Sequence, residues 1–351
     1  MDRICLHRAM SSVVCLALLL TTCASSAQDD TSPVSEISLL LEELEDSLPD
    51  LDIGLSLAEL TDVPVLDENL IQYFRYYDLD IPGVEHFFGG VSIEEHRIAA
   101  HVFLPMEPVG TVVIAHGYFD HVGAWNHAIW YLVGESFAVL AFDFPGHGLS
   151  SGESGNIEDF SEYLAVFSRF VDLARAQLPG PVHFVGHSMG AGIVIEYLLT
   201  YGKTDDQRVV LIAPSIRSSK WVLSRIGNFL IRPFTNSVSR VFRASTHDKE
   251  FLEFRKYLDP LQPRNIPLQW FEELVEWNGR MVERGVSEAP LRVIQGTSDG
   301  TVDFSYNIGY LEDRFPNLDL IEIEGGEHHL INETPLMREE VFRLVGEYLR
   351  G

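Results

Sequence analysis

Gly186-His187-Ser188-Met189-Gly190 decides how this chain of 351 residues is read. Before it stands Pro181-Val182-His183-Phe184-Val185, an apolar run with the look of a strand. After it comes Ala191-Gly-Ile-Val-Ile-Glu-Tyr-Leu-Leu-Thr200, which reads as a helix. A strand that turns sharply into a helix at G-x-S-x-G holds its central residue in a strained backbone conformation. Glycines two places before and after let the neighbouring chain pass closely. The turn lifts the Ser188 hydroxyl clear of the sheet and sets it at a helix start, where free N–H groups and the positive dipole end can meet a developing oxyanion. The pentapeptide alone arises by chance in roughly one chain of this length in ten, so its surroundings carry the weight.

Those surroundings predict an α/β fold. From about Val84, Phe87 to Leu104 reads as an antiparallel hairpin broken near Glu94-Glu95-His96. Short apolar runs follow at Thr111–Ala115, Ala138–Phe142, Val182–Val185, Val209–Ile212, Leu291–Ile294 and Leu318–Ile323. Runs of this length bounded by glycine and polar turns suit strands buried on both faces. Ile157–Arg175 is an amphipathic helix with Phe160, Leu164, Phe167 and Val171 on one face, Asn156 as the expected cap and Gly180 beyond its end. Strands alternating with helices imply a mostly parallel sheet covered on both sides.

A serine nucleophile needs a general base, an acid that orients the base, and donors for the oxyanion. In this strand order the acid and base follow the late strands. Leu291–Ile294 leads into Gln-Gly-Thr-Ser-Asp299-Gly-Thr-Val-Asp303, which makes Asp299 the expected acid and Asp303 its competitor. Leu318–Ile323 leads into Glu-Gly-Gly-Glu-His328-His329, which makes His328 the expected base ahead of His329. The order Ser188, Asp299, His328 is that of α/β-hydrolases. For the oxyanion hole, Thr111–Ala115 runs into His116-Gly117-Tyr118, and the N–H of Tyr118 is expected to pair with that of Met189. Gly117 lets the backbone approach the substrate oxygen, and Gly117 and His187 are expected to line the substrate position. His116 reads as a loop-holding residue. His116, His121, His127 and His147 sit on separate loops without a helix-borne i, i+4 pair, so neither a catalytic metal nor any other cofactor is expected.

Residues 216–287 break the rhythm. They show no clear strand and carry Trp221, Phe229, Phe234, Phe242, Phe254, Tyr257, Trp270 and Trp277. They hold 12 of the chain's 25 Lys and Arg against 8 acidic residues, a local charge of +4 in a chain of −27. An aromatic, locally basic insertion between strands suits a helical cap over a pocket for an apolar chain with an anionic or zwitterionic head; alternatively, the aromatics form the insertion's own core. The expected organisation is an N-terminal segment 1–27, an acidic extension 28–80, core segments 81–215 and 288–351, and the cap 216–287.

At the N-terminus, Arg3 and Arg8 precede an apolar run from Met10 to Leu20 and small residues up to Ala27. This reads as a signal peptide, too short to span a bilayer stably. Cleavage after Ala27 competes with a lipoprotein-type cleavage at Leu20-Thr-Thr-Cys23, which would leave an acylated Cys23. The only cysteines are Cys5, Cys15 and Cys23, so the chain beyond this segment has no disulfide and no thiolate catalyst. Between Ala9 and Phe74 there are 13 acidic residues and no Lys or Arg. Acidity on this scale excludes a nucleic-acid partner, which needs clustered basic groups. Within it, Pro33 to Leu48 either forms a helix with Ile37, Leu41, Leu44 and Leu48 on one face or is a solvated linker.

Six motifs in one order now carry a resemblance. They are His116-Gly-Tyr-Phe-Asp-His-Val-Gly123, Phe142-Asp-Phe-Pro-Gly-His-Gly-Leu-Ser-Ser-Gly152, Gly186–Gly190, Tyr257-Leu-Asp-Pro-Leu261, Gly296-Thr-Ser-Asp-Gly-Thr-Val302 and Gly325-Gly-Glu-His-His-Leu-Ile-Asn-Glu333. Together they resemble the monoacylglycerol lipase and lysophospholipase family from about Phe87 onward. The resemblance implies an α/β-hydrolase fold, a helical cap, and cofactor-free hydrolysis of a single-chain acyl ester, with nucleophile, acid and base on Ser188, Asp299 and His328. The chain departs from the family at Asp120, where Glu is usual, at Pro145, where Arg is common, and in the acidic tract 28–74. The expected function is an exported serine esterase acting on monoacylglycerol or lysophospholipid, periplasmic, lipid-anchored or secreted, with membrane association through acylated Cys23 or the cap. The alternatives are an exported peptidase or small-ester esterase on the same scaffold, and a non-catalytic binding lipoprotein.

Overall fold

The computed structural model describes residues 33–51, 68–203 and 206–351; the N-terminal segment with Cys23, and much of the acidic tract, lie outside them. The chain divides into Met1–Glu36, described only from Pro33, and a unit running from Ile37 to Gly351. Helix α1 (Pro33–Ser47) forms where the periodicity allowed one, and Ile37, Leu41, Leu44 and Leu48 are buried along one face. Helix α2 (Glu68–Tyr76) follows, then the hairpin β1 (Glu85–Ile93) and β2 (His96–Leu104).

The rest builds the sheet: β3 (Gly110–Ala115), α3 (Asn126–Gly134), β4 (Phe137–Phe142), α4 (Phe160–Gln177), β5 (Val182–His187), α5 (Met189–Tyr201) and β6 (Val209–Ile212). An inserted segment comes next, with α6 (Trp221–Ile231), β7 (Ser237–Ser239), α7 (Lys249–Glu253), β8 (Asn265–Pro267) and α8 (Leu268–Val282). The chain then returns through β9 (Leu291–Gly296), α9 (Phe304–Arg314), β10 (Leu318–Ile323) and α10 (Pro335–Arg350). Strand order is β1-β2-β4-β3-β5-β6-β9-β10, with β1 and β2 antiparallel to their neighbours and the others parallel. This is the expected α/β-hydrolase sheet.

Alternate residues of each strand feed two cores. Val113 and Phe184 face one, with Phe167, Val194 and Trp277; Val112 and Val185 face the other, with Trp125, Leu132 and Val345. Two details differ from expectation. The cap of α4 is Asp159, not Asn156: its carboxylate accepts from Ser161 N–H, and Glu162 reaches back to the Asp159 N–H at 2.8 Å, so the helix starts three residues later. The inserted segment holds a short antiparallel pair, β7 with β8, where no strand was expected; three-residue strands are too short to show a pattern.

Candidate active site

The elbow owes its shape to two close approaches. A Cβ at Gly190 would collide with the carbonyl oxygens of Ala115 and His116, and one at Gly186 would lie 2.8 Å from Ala191 Cα. Between them Ser188 takes φ 51° and ψ −117°, a conformation that costs a side-chain-bearing residue about 1–3 kcal/mol. Hydrogen bonds from Ser188 N–H to Ile212 O (3.0 Å), and to Ser188 O from Ser215 and Gly192 N–H (3.1 Å each), hold it there. Strain and clamp together fix the direction of the hydroxyl.

Three side chains meet at the carboxyl end of the sheet. Ser188 Oγ lies 2.9 Å from His328 Nε2, and His328 Nδ1 lies 2.8 Å from Asp299 Oδ2. Asp299 also accepts from Gln295 Nε2 (3.1 Å) and from the N–H groups of Thr301 (2.8 Å) and Val302 (3.2 Å). Burial would raise its pKa, but the His328 imidazole and these donors outweigh it and hold the carboxyl below its ordinary range. For His328, burial dominates and lowers the pKa, opposed by Asp299, so at neutral pH the ring is uncharged with Nε2 toward Ser188. The competing residues are occupied elsewhere. Asp303 caps α9 through Tyr306 N–H, and His329 packs against His187 and Phe251.

The oxyanion loop lies against the nucleophile. A Cβ on Gly117 would stand 2.9 Å from His187 Nδ1 and 3.2 Å from Ser188 Cβ, so only glycine lets the loop sit this close. The N–H groups of Tyr118 and Met189 have no hydrogen-bond partner among the described residues, Met189 because it opens α5. His116 ties the loop to the strand beside it: Nδ1–H donates to Gly117 O (2.8 Å), and Nε2 accepts Phe144 N–H (2.8 Å). Burial pushes its pKa down to about 3. Asp143, which sequence reading passed over, accepts Val122 N–H (2.7 Å) and Leu149 N–H (2.9 Å) and anchors the far end of the same loop. Its position inside the Phe142–Gly152 motif was the available signal.

His187, expected to line the substrate position, is buried beside the nucleophile. Its Nε2–H donates to the backbone carbonyl of His328 (3.1 Å), and its Nδ1 is 3.7 Å from Asp120 Oδ2. Both ring nitrogens thus face protein groups, beneath the histidine loop. Burial opposes ionisation of Asp120, but His187, His329 and Arg255 hold its pKa low. Among the described residues Asp120, His187 and His329 are close enough in donor type and distance to hold a metal, as are Glu95, His96 and Glu162. The first group shares its surroundings with the Arg255 guanidinium, which opposes a second cation. In the second, Glu162 is already bonded to His96 (2.7 Å) and to the α4 start. A cavity of about 260 Å³ lies away from Ser188, between α1 and the Gly146–Ser154 turn, and holds no nucleophile–base pair.

The inserted segment touches this machinery. Trp270 on α8 stacks on Tyr118 at 3.5 Å between ring centres, and Trp277 donates to the buried Glu196 of α5 (2.7 Å). Trp221, Trp270 and Trp277 are buried, as a core reading of the aromatics expects. Phe229 (79% exposed), Phe234 (87%) and Tyr257 are not. Val222, Leu223, Ile226 and Leu230 of α6 are exposed as well.

This sheet, elbow and insertion define an α/β-hydrolase. Residues 106–335 match the family described as serine aminopeptidase S33, and the chain belongs to that family. Within it, the chain is similar to a monoacylglycerol lipase of Mycolicibacterium smegmatis, 28% identical over 260 residues that cover 72% of this chain and 91% of that one. It is similar too to the phospholipase YtpA of Bacillus subtilis, 27% identical over 245 residues, covering 67% and 93%. A solved soluble variant of the Saccharomyces cerevisiae monoglyceride lipase, in complex with a substrate analog, shares the fold with a TM-score of 0.67 at 18% identity, covering 78% of this chain and 97% of that one. The protein is a monoacylglycerol lipase-like α/β-hydrolase.

Proposed function

We propose that the protein is a serine esterase that cleaves carboxylic esters of single-chain lipids, monoacylglycerol or lysophospholipid, through an acyl-enzyme. The observation that carries this reading is the unbroken chain from Ser188 Oγ through His328 to Asp299, at 2.9 and 2.8 Å. Ser188 attacks the ester carbonyl while His328 Nε2 takes its proton. The tetrahedral oxygen accepts from the N–H groups of Tyr118 and Met189. His328 returns the proton to the leaving alcohol, and water then repeats the sequence on the acyl-enzyme.

The lipid substrate is supported by the relatives named above and by the outer face of the inserted segment. Val222, Phe229 and Leu230 stand exposed on α6 and Phe234 just beyond it, with exposed Lys220 and Arg225 in the same stretch. Exposed apolar residues with basic residues in the same stretch suit a bilayer bearing anionic headgroups. The basic, apolar and small-residue order of residues 1–27 supports export, with an acylated Cys23 or a released product as the two forms; intact mass of the mature N-terminus separates them.

The family's description names a peptidase, so the decisive experiment is a substrate panel. Purified protein is given monoacylglycerols and lysophospholipids of graded chain length, short nitrophenyl esters, and aminoacyl nitroanilides. The reading expects kcat/KM to peak on long single-chain esters. A peak on aminoacyl substrates would replace it with the peptidase reading, and one on acetyl or butyryl esters with the small-ester reading.

A further inference from the structure

Tyr77 follows helix α2 and precedes β1, outside residues 106–335 that match the family. It is buried, and its neighbours belong to two other parts of the molecule. Its hydroxyl donates to Asp259 Oδ1 at 2.8 Å, on the inserted segment. The same carboxylate accepts at Oδ2 from His121 Nε2 (2.9 Å) and Gln262 Nε2 (2.9 Å), and at Oδ1 from Leu261 N–H (3.1 Å). His121 lies three residues after Tyr118, on the oxyanion loop. The Tyr77 ring also lies against that loop: a Cβ on Gly123 would be 2.5 Å from it, and its edge meets the His121 ring at 5.0 Å between centres. One phenol therefore bridges the loop that carries the oxyanion donor and the middle of the insertion.

The loop needs such a clamp. Phe119, between Tyr118 and Asp120, has φ 65°, unfavourable for a bulky side chain, and a conformation of this kind persists only where the surroundings over-determine it. Within the loop, Asp120 N–H to Gly117 O and Ala124 N–H to His121 O are single backbone bonds of 3.1 and 3.0 Å. The side-chain restraint on His121 passes through Asp259, and Tyr77 is the member of that network contributed from outside the shared domain. Buried groups give such bonds more strength than solvent-exposed ones.

We infer that Tyr77 is a positioning residue for the oxyanion hole, and that the segment preceding β1 is thereby a working part of the active site. It acts through Asp259 and His121, never on the substrate. The inference rests on the serine-esterase reading.

The test uses the full chain, the variant Tyr77→Phe and the control Tyr76→Phe. Tyr76 donates to Leu258 O at 2.6 Å from the same segment, so the control removes a hydroxyl bond to the insertion while leaving the bonds of the Asp259 carboxylate in place. Three quantities are read on each protein: kcat and KM on a short soluble ester, the inhibition constant of a trifluoromethyl ketone whose hemiketal oxygen occupies the oxyanion site, and Tm. Tyr77→Phe is expected to lose about tenfold in kcat, as befits a bond to a charged partner. Ketone affinity should fall by the same factor, with KM within twofold. Tyr76→Phe should hold kcat and ketone affinity within twofold whatever its Tm. Tyr77→Phe within twofold of wild type on both, or matched by Tyr76→Phe, overturns the inference. Should Tyr77→Phe not fold, Asp259→Asn breaks the middle link instead, and unchanged ketone affinity there is equally fatal. A wild-type protein that hydrolyses no ester and ignores the ketone defeats the esterase reading itself, a different result from an unaffected variant.

Discussion

The loops at the carboxyl ends of β3, β5, β9 and β10 and the segment inserted between β6 and β9 answer to different demands. In the loops Ser188, His328 and Asp299 are each fixed by named hydrogen bonds, and glycines stand where a Cβ would strike backbone. In the insertion, Phe229 and Phe234 face outward, and its single strand pair is three residues long. Chemistry requires atoms held to a few tenths of an ångström; under the lipid-ester reading proposed above, the exposed apolar residues of the insertion would meet the lipid.

The largest expected effect breaks the loops. Ser188→Ala should lower kcat on the order of 10⁶-fold, the loss seen when a triad acts as a unit, measured on the best substrate of the panel. Asp299→Asn should cost about 10⁴-fold by leaving His328 in the wrong tautomer. Asp303→Ala, four residues on, should leave kcat unchanged and cost about 1 kcal/mol of stability as a lost helix cap. Equal losses at both aspartates would erase the distinction.

Acid separates the two regions next. The α/β core buries neutral histidines, with pKa values lowered by burial to about 3 at His116 and about 4 at His147. Each binds its proton more readily unfolded, at about 6.5. Their stabilising contribution is therefore complete above that value and erodes as pH falls toward the folded values. Tm by calorimetry should decline progressively from about pH 6.5 downward, and a flat Tm between pH 6.5 and 5 contradicts the burial. Over the same range kcat/KM should hold further into acid than an ordinary histidine permits, since His328 is shifted down.

The smallest effect on chemistry belongs to the outer face. Phe229→Asp with Phe234→Asp should leave hydrolysis of a short soluble ester within twofold while abolishing sedimentation with vesicles containing anionic lipid. Loss of soluble-ester activity would mean that this face belongs to the catalytic fold.

The same contrast governs what the sequence could tell. The elbow, the strand runs and the Asp and His loops were legible because each is a local pattern: four to six apolar residues, a glycine pair, a turn at a strand end. The sequence could rank Asp299 over Asp303 by loop position, but it could not see that Asp303 is spent as a cap. His187 lies beside the nucleophile in sequence, yet its ring bonds to the carbonyl of residue 328, a contact 141 residues long. Tyr77 and Asp259 are 182 residues apart. No composition or spacing announces a pair that only the closed sheet brings together. In the insertion, aromatic content alone could not separate the buried Trp270 and Trp277 from the exposed Phe229.

The central claim is that Ser188 is a nucleophile made reactive by His328. A fluorophosphonate probe followed by intact mass and peptide mapping reads it directly. One adduct on Ser188 of the wild-type protein, absent from Ser188→Ala and slowed by orders of magnitude in His328→Ala, is the predicted result. No adduct, or one on another residue that survives Ser188→Ala, contradicts it.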